Sequence, residues 1–392
     1  MIAHPHLRRN IFKLYIFSSF EWMLFFIPVL YVFYQSIGLS GQDLFIVQAI
    51  FAAVVALLEV PSGYIADFFG RKKTLIAGSI FALAGTIIYA QAVGFWSVVS
   101  AEVLLGIGLS LRSGVKEAIL YDSLLLLQEA GEFKRRQGIS GSVGQISEGV
   151  TSVVGGFLAL FSLHLPFYAQ MIAIIGGLLI ACTFHEPERK RASINHVANF
   201  KKAFRDIFWR DRRVFWAVML GGIISTTTFA SVWFSQTYFV NIGLNVALLG
   251  ITWALGNFAA AGGNYLSHTM KRISEYTQYV VIIGLVAVGL LIMAFVPTVI
   301  GVLSILVIRF AWGLLNPLSQ EVVNRMVGSE LRVTILSIKS LAQKMMFIIL
   351  GPLYGWVSDV YSLSTALLLS VGILLVVSLV SLAAARRTGA LQ

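Results

Sequence analysis

Two carboxylates stand deep inside long apolar stretches of the sequence, where they could bind and release protons. They are Glu21 and Glu148, and both lie near the middle of their stretches. Desolvation favours the neutral form of a carboxylate and a nearby cation favours the charged form, so either group is predicted to be a reversible proton carrier. The alternative is a permanent internal salt bridge that only stabilises packing. Trp22 and Phe25 follow Glu21 closely and are predicted to line a cavity for a small molecule.

Basic side chains in similar apolar stretches could hold an anionic or zwitterionic molecule. A charged side chain near the middle of a bilayer costs about 2.5 to 3.5 kcal/mol, so each needs a partner, a wet cavity or a function. The candidates for binding are Arg112, Lys116, Arg309 and Lys344. Arg112 and Lys116 are four residues apart, which predicts that they share one helical face. For Arg112 and Lys344 the alternative role is partnership with a carboxylate, namely Glu117, Glu59 or Glu148.

The segment 63–74 places glycines and charges where one apolar stretch ends and the next begins. Gly63 would let a neighbouring helix approach its backbone, and Gly70 permits a tight reversal of the chain. The basic triplet that follows Gly70 would anchor the loop in the cytosol. The segment is therefore predicted to be a cytoplasmic hinge between two membrane spans.

Three charged residues around this hinge are predicted to interact. Asp122, at the end of a later apolar stretch, is expected to pair with Arg71. Asp67 is expected to cap the start of the helix that begins near 329–334, because a carboxylate accepts hydrogen bonds from the free N–H groups there. The alternative is simple stabilisation of the loop.

The composition is that of a polytopic membrane protein. The chain has 392 residues, of which 58% are hydrophobic and 12% charged, and its mean hydropathy is +0.84. Each apolar run is near the roughly 20 residues that cross a bilayer. Twelve spans are predicted, at 11–37, 43–66, 73–93, 95–121, 136–162, 165–184, 214–240, 244–268, 276–296, 298–324, 332–356 and 362–385.

The placement of Lys and Arg predicts the orientation. Apart from those inside the apolar stretches, these residues fall in the termini and in every second connection, whereas the alternate connections carry none. By the positive-inside rule, both termini and the basic connections are cytoplasmic, and the protein is predicted to lie in the inner (cytoplasmic) membrane. The net charge of +11 then reflects topology and contact with anionic lipids. Nucleic-acid binding is disfavoured because the basic residues are scattered through short loops.

The chain is predicted to consist of two halves. Residues 1–184 form an amino-terminal six-helix bundle, 185–213 a basic cytoplasmic linker with an amphipathic helix, and 214–392 a carboxy-terminal six-helix bundle. The halves echo each other weakly, since 263–272 repeats the first glycine and the basic pair of the hinge.

The hinge resembles the signature loop of the major facilitator superfamily. Gly63, Asp67, Gly70, Arg71 and Lys72 are all in register with that motif. Only the basic residue usual at position 68 is replaced, by Phe68. The resemblance implies an all-α fold of twelve membrane helices in two pseudo-symmetric six-helix bundles, which works by alternating access. It also implies that Asp67, Arg71 and Asp122 form a latch that closes the cytoplasmic side.

The predicted function is proton-coupled secondary active transport of a small, amphipathic organic solute, with export of a drug-like compound or siderophore favoured. One alternative is proton-linked uptake of an organic anion or metal-siderophore. Another, from a different class, is a transport-inactive membrane receptor. No nucleophile and base stand at a recognisable spacing, so the chain is not predicted to be an enzyme. No cofactor or metal is expected, and the protein is predicted to be a monomer whose partners are protons, its solute and lipids.

Overall fold

The computed structural model describes residues 5–186, 205, 211–327 and 332–391, and these residues form fourteen α-helices and no strand. The first eight are α1 (Pro5–Glu21), α2 (Leu30–Ser36), α3 (Gly41–Phe69), α4 (Arg71–Ala90), α5 (Phe95–Arg112), α6 (Val115–Leu126), α7 (Phe133–Ala159) and α8 (Leu165–Thr183). The remaining six are α9 (Arg212–Asn241), α10 (Val246–Leu266), α11 (Glu275–Phe295), α12 (Leu303–Arg325), α13 (Arg332–Val360) and α14 (Leu363–Thr388).

Nine segments in the described part of the chain are long and apolar enough to cross a membrane. They correspond to nine of the twelve predicted spans. Predicted span one is interrupted, since α1 and α2 are separate helices. Predicted spans five and eleven are the long helices α7 and α13, with 27 and 29 residues. At about 1.5 Å per residue each is long enough to cross the hydrocarbon core.

Predicted span four is also interrupted, which overturns one expectation. Helix α5 ends at Arg112, Ser113 is extended with ψ 129°, and Gly114 adopts a left-handed φ of 76° before α6 begins. Glycine takes this conformation without the steric penalty of a Cβ atom. Because the helix does not continue from Arg112 to Lys116, the prediction that they share one helical face is wrong.

The chain divides into two compact units, and the first contains the described residues of 1–33, 54–196 and 246–254. Within it, α4 packs against α5 and α8, and α1 packs against α6, α7 and α8. Glycines bring α4 and α5 together: a Cβ on Gly78 would lie 2.9 Å from the Gly108 carbonyl oxygen, and one on Gly108 would lie 2.7 Å from that of Gly78. Small residues at such crossings let membrane helices pack backbone to backbone.

The second unit contains the described residues of 34–53, 197–245 and 255–392. Helix α9 packs against α12, α13 and α14, and α11 packs against α12 and α14. Here α10 and α12 cross closely, because a Cβ on Gly313 would overlap the Ala260 carbonyl oxygen and one on Gly263 would overlap that of Phe310.

The predicted division into 1–184, 185–213 and 214–392 stays a prediction. Most of the predicted linker, including its amphipathic helix, lies outside the described residues. Helices α3 and α10 each contribute residues to both compact units.

Candidate functional site

Glu148 is a buried carboxylate on α7 whose side-chain partner is an indole. Its exposed fraction is 7%, and Oε1 accepts a hydrogen bond of 2.9 Å from Nε1 of Trp253 on α10. Both residues belong to the first compact unit. Among the described residues, no Lys, Arg or His forms an ion pair with Glu148. The permanent salt bridge considered as the alternative for this residue is therefore not formed in the described part of the chain.

Glu21, in contrast, forms an ion pair. It is the last residue of α1, and its Oε2 lies 2.6 Å from Nζ of Lys116 on α6. The side chains are 10% and 18% exposed, and Glu117 adds a second carboxylate 3.9 Å from the same ammonium. Lys116 thus bridges two carboxylates. Glu21 therefore has the internal salt bridge that was considered as the alternative for it. Its role in proton coupling stays a prediction.

The residues after Glu21 leave the helix and rest on glycines of α7. Pro28 follows this irregular segment. A proline disfavours a continuous helix because it lacks an N–H and its ring clashes with the preceding turn. A Cβ on Gly144 would lie 2.6 Å from Cδ1 of Trp22, and one on Gly155 would overlap the Phe25 carbonyl oxygen. Trp22 is 39% exposed, so its ring is only partly covered by the protein.

Polar groups replace helical hydrogen bonds in this irregular segment. The Phe25 N–H donates to Oε1 of Gln170 at 3.1 Å, and the Leu24 N–H donates to Oγ1 of Thr151 at 3.2 Å. A backbone that leaves the helix inside a membrane needs such partners. Trp22 and Phe25 therefore lie on an unwound, hydrogen-bonded stretch beside α7, which is also the helix that carries Glu148.

The hinge forms the ion pair that the sequence predicts. Gly70 has a φ of 98°, which allows α3 to end and α4 to begin within one residue. The Arg71 guanidinium donates to the Asp122 carboxylate and to the Ala118 carbonyl oxygen. The Arg71 and Asp122 side chains are 15% and 16% exposed, so the pair is largely shielded from solvent.

Glu186, just beyond α8, caps the start of α4, a contact that the sequence did not suggest. Its two carboxylate oxygens accept the backbone N–H groups of Arg71 and Lys72, each at 2.7 Å. A carboxylate is stabilised at a helix N-terminus by the free N–H groups and by the helix dipole. Asp122 therefore holds the hinge through the side chain of Arg71, and Glu186 holds it through the backbone N–H groups of Arg71 and Lys72.

One expectation about the hinge is not met within the described residues, and another stays a prediction. No described atom lies within 4 Å of the point where a Cβ on Gly63 would stand, so the close helix approach expected at this glycine is not seen there. Asp67 is partly buried and has an interaction of its own. Its expected partner region, 329–334, falls at and beside a stretch outside the described residues.

The second unit contains a related ion pair with the charges exchanged. Arg71 is the first residue of α4, and its partner lies near the end of α6. In the second unit Glu275 is the first residue of α11, and Arg325 is the last residue of α12. The guanidinium nitrogens of Arg325 lie 2.5 and 2.8 Å from the Glu275 carboxylate oxygens. A cavity of about 670 Å³ adjoins this pair and is lined also by Glu321.

The remaining candidate cations belong to different units. Arg112 donates from Nε to the Gly108 carbonyl oxygen at 3.2 Å and passes beside Gly78. Arg309 passes beside Gly256, where a Cβ would lie 3.3 Å from its Cγ. Lys344 donates to Oγ of Ser340 at 2.6 Å. The structure thus places Arg112 and Lys116 in the first unit, and Arg309 and Lys344 in the second.

His185 lies beside the hinge and outside the predicted spans, and the pKa of its imidazole is clearly perturbed. Desolvation and the charges of Lys13 and His6 hold the pKa of His185 below its ordinary value of 6.5. Its ring centroid is 5.3 Å from that of His6. No group of three His, Cys, Asp or Glu side chains that could hold a metal occurs in the described residues.

Known proteins provide a sequence relative and two solved structures for comparison. The quinolone resistance protein NorA of Staphylococcus aureus (strain MRSA252) is 27% identical over 190 residues, which are 48% of this chain and 48% of that protein. The chain thus matches about half the length of this relative. A crystal structure of the nucleoside transporter NupG superposes with a TM-score of 0.80 at 17% identity, covering 96% of this chain and 99% of that one. The D-xylose-proton symporter superposes with a TM-score of 0.69 at 15% identity, covering 93% and 95%.

These likenesses confirm the predicted fold of twelve membrane helices. The sequence profile of the Major Facilitator Superfamily matches residues 11–349, which are most of the chain. The family and the transporter relatives also agree with a transporter rather than an enzyme. The chain is a multi-pass membrane protein and belongs to the Major Facilitator Superfamily.

Proposed function

We propose that this protein couples proton entry to the export of a small, amphipathic organic solute across the cytoplasmic membrane by alternating access, with Glu148 as the proton carrier. The observation that carries the proposal is the environment of Glu148. The carboxylate is 7% exposed, has the Trp253 indole as its hydrogen-bond donor, and has no ion-pair partner among the described residues.

The missing counter-cation is the reason for assigning the proton to Glu148. Burial penalises the charged form, while one neutral N–H donor favours it. A permanent counter-cation would hold a carboxylate in the charged form, and none contacts Glu148 among the described residues. Carboxylates within transporter spans commonly serve as proton relays for this reason.

Export is supported by the name of one relative and by the aromatic residues of the unwound segment. NorA is named for quinolone resistance, and this chain matches about half of its length. The Trp22 ring lies against Gly144 of the helix that carries Glu148, and Phe25 belongs to the same unwound stretch; aromatic residues suit an amphipathic solute. The hinge at Gly70 faces the cytoplasm in this proposal, the termini are cytoplasmic, and the working unit is a monomer.

A second candidate is proton-linked uptake of an organic anion or metal-siderophore. The cations Arg309 and Lys344 in the second unit favour it, because both are intramembrane groups able to hold an anion. The likeness to a proton symporter shows the shared fold alone. A receptor that binds its ligand without transport is the third outcome that an experiment must separate.

Proteoliposomes with an imposed pH gradient separate these three functions. The purified protein is tested with lipophilic dyes, siderophores and organic acids while luminal pH is followed by a trapped indicator. Proton movement in exchange for a compound supports the proposal, and co-entry of compound and proton establishes uptake instead. Saturable binding without gradient-driven flux identifies the receptor and contradicts both transport functions.

A further inference from the structure

Lys339 on α13 carries an intramembrane ammonium that has no counter-ion in the described part of the chain. Its Nζ donates a hydrogen bond to the hydroxyl of Ser319 on α12. Its Cε lies 3.7 Å from the point where a Cβ on Gly221 of α9 would stand, so the side chain is held among three helices of the second unit. The described residues offer no carboxylate within ion-pair distance. The side chain is only partly buried.

Ser319 orients this ammonium but does not neutralise it. The Ser319 hydroxyl is fully buried and directed toward the Asn316 carbonyl oxygen, 3.4 Å away, so it is committed within the protein. An ammonium has three N–H donors, and one hydroxyl acceptor occupies one of them. Among the described residues, two donors and the positive charge therefore remain for a bound group. An intramembrane cation of this kind marks a ligand or substrate pathway by default.

Two other lysines that lie within the spans differ in this respect. Lys116 lies 2.6 Å from the Glu21 carboxylate. Lys344, five residues after Lys339, donates to Ser340 and has a further interaction. Lys339 therefore combines a fixed position, partial accessibility and a charge with no counter-ion among the described residues, which are the properties of a binding group for an anion.

We propose that Lys339, oriented by Ser319, binds a carboxylate of the transported solute, so that the solute is an organic anion or a zwitterion. This inference rests on the proposed transport function and adds the chemical class of the substrate. A carboxylate oxygen would accept the remaining N–H groups of Nζ, and the charge-assisted hydrogen bonds would be stronger than neutral ones.

The test uses two dyes that differ only in the carboxylate, rhodamine B and rhodamine B ethyl ester. Binding to the purified full-length protein in nanodiscs is measured by fluorescence polarisation. In Lys339→Met we expect the dissociation constant for rhodamine B to rise about tenfold, which corresponds to ~1.4 kcal/mol. The dissociation constant for the cationic ester should stay unchanged or fall, because a repulsive charge is removed. Lys339→Arg should keep the preference for rhodamine B, since the charge is retained.

Three results would overturn the inference: equal losses of affinity for both dyes, no preference for rhodamine B in the wild type, or no binding of rhodamine B. Lys339→Gln replaces Lys339→Met if the latter does not fold, as judged by its unfolding temperature. Gradient-driven flux of both dyes in wild-type proteoliposomes, without any carboxylate preference, would reject this inference and leave the proposed transport function standing. Carboxylate-selective binding without flux would reject the transport function instead.

Discussion

The substitution Trp253→Phe isolates the hydrogen bond that holds Glu148. Phenylalanine keeps an aromatic ring at the site and removes the indole N–H, which donates to Glu148 Oε1 at 2.9 Å. A hydrogen bond to a charged group contributes about 1.5 to 3 kcal/mol, and a tenfold change in a proton equilibrium corresponds to 1.36 kcal/mol. Loss of the bond should therefore move the pH of half-maximal transport upward by about 1 to 2 pH units.

The assay is gradient-driven dye flux in proteoliposomes, recorded over a series of external pH values. Trp233→Phe is the matched control, because Trp233 is a buried indole in α9 whose Nε1 has no acceptor among the described atoms. This control should leave the pH profile in place. An unchanged profile in Trp253→Phe, or an equal shift in the Trp233→Phe control, would refute the assignment of Glu148 as the titrating group.

Three further predictions concern the hinge, a helix crossing and the pH dependence of stability. Asp122→Asn should slow transport and destabilise the fold by about 3 kcal/mol, seen as a lower unfolding temperature, because it leaves Arg71 largely buried without its carboxylate; wild-type turnover would contradict a gating role. Gly313→Ala should destabilise by about 1 to 3 kcal/mol through overlap with the facing helix, whereas Gly372→Ala, with open space around its Cβ position, should not; equal unfolding temperatures would contradict the close crossing. The pKa of His185 lies below 6.5 in the folded protein, so the unfolded state binds more protons as the pH falls through 6.5. The free energy of unfolding should therefore decrease below that pH, and it should decrease less in His185→Gln. Thermal unfolding at each pH measures both.

Local patterns in the sequence were sufficient for the spans and for the hinge. Apolar runs of about 20 residues indicate membrane helices without any knowledge of their neighbours. The Gly70 reversal and the Arg71–Asp122 pair also follow from local chemistry: a glycine takes a positive φ, and two opposite charges stand at the ends of adjacent spans.

The breaks in spans one and four were not predictable from hydropathy. Glycine is common in membrane helices, so Gly114 gives no distinct signal that the helix stops there. The apolar character also continues through the segment after Glu21, where the backbone is unwound and bonded to Gln170. These breaks depend on partners from other helices, and the hydropathy of a local stretch of sequence contains no information about them.

The long-range partners of the charged groups were likewise missed. Trp253 is 105 residues from Glu148, and Glu186 is 115 residues from Arg71. Neither spacing carries a periodic signal. The one available hint for Glu186 was its position as an acidic residue at the start of a basic stretch, directly after a span. For the Glu275–Arg325 pair, the hint was the internal repeat, but the exchange of charges concealed it.

The most direct test of the central claim compares net flux with solute exchange in Glu148→Gln. Glu102→Gln is the matched control, because Glu102 is also a buried carboxylate of the first unit, and accepts a hydrogen bond from Tyr89. The account predicts that Glu148→Gln loses pH-gradient-driven net flux, keeps exchange of labelled for unlabelled solute, and leaves coupling in Glu102→Gln intact. Gradient-driven flux at the wild-type rate in Glu148→Gln would contradict the account.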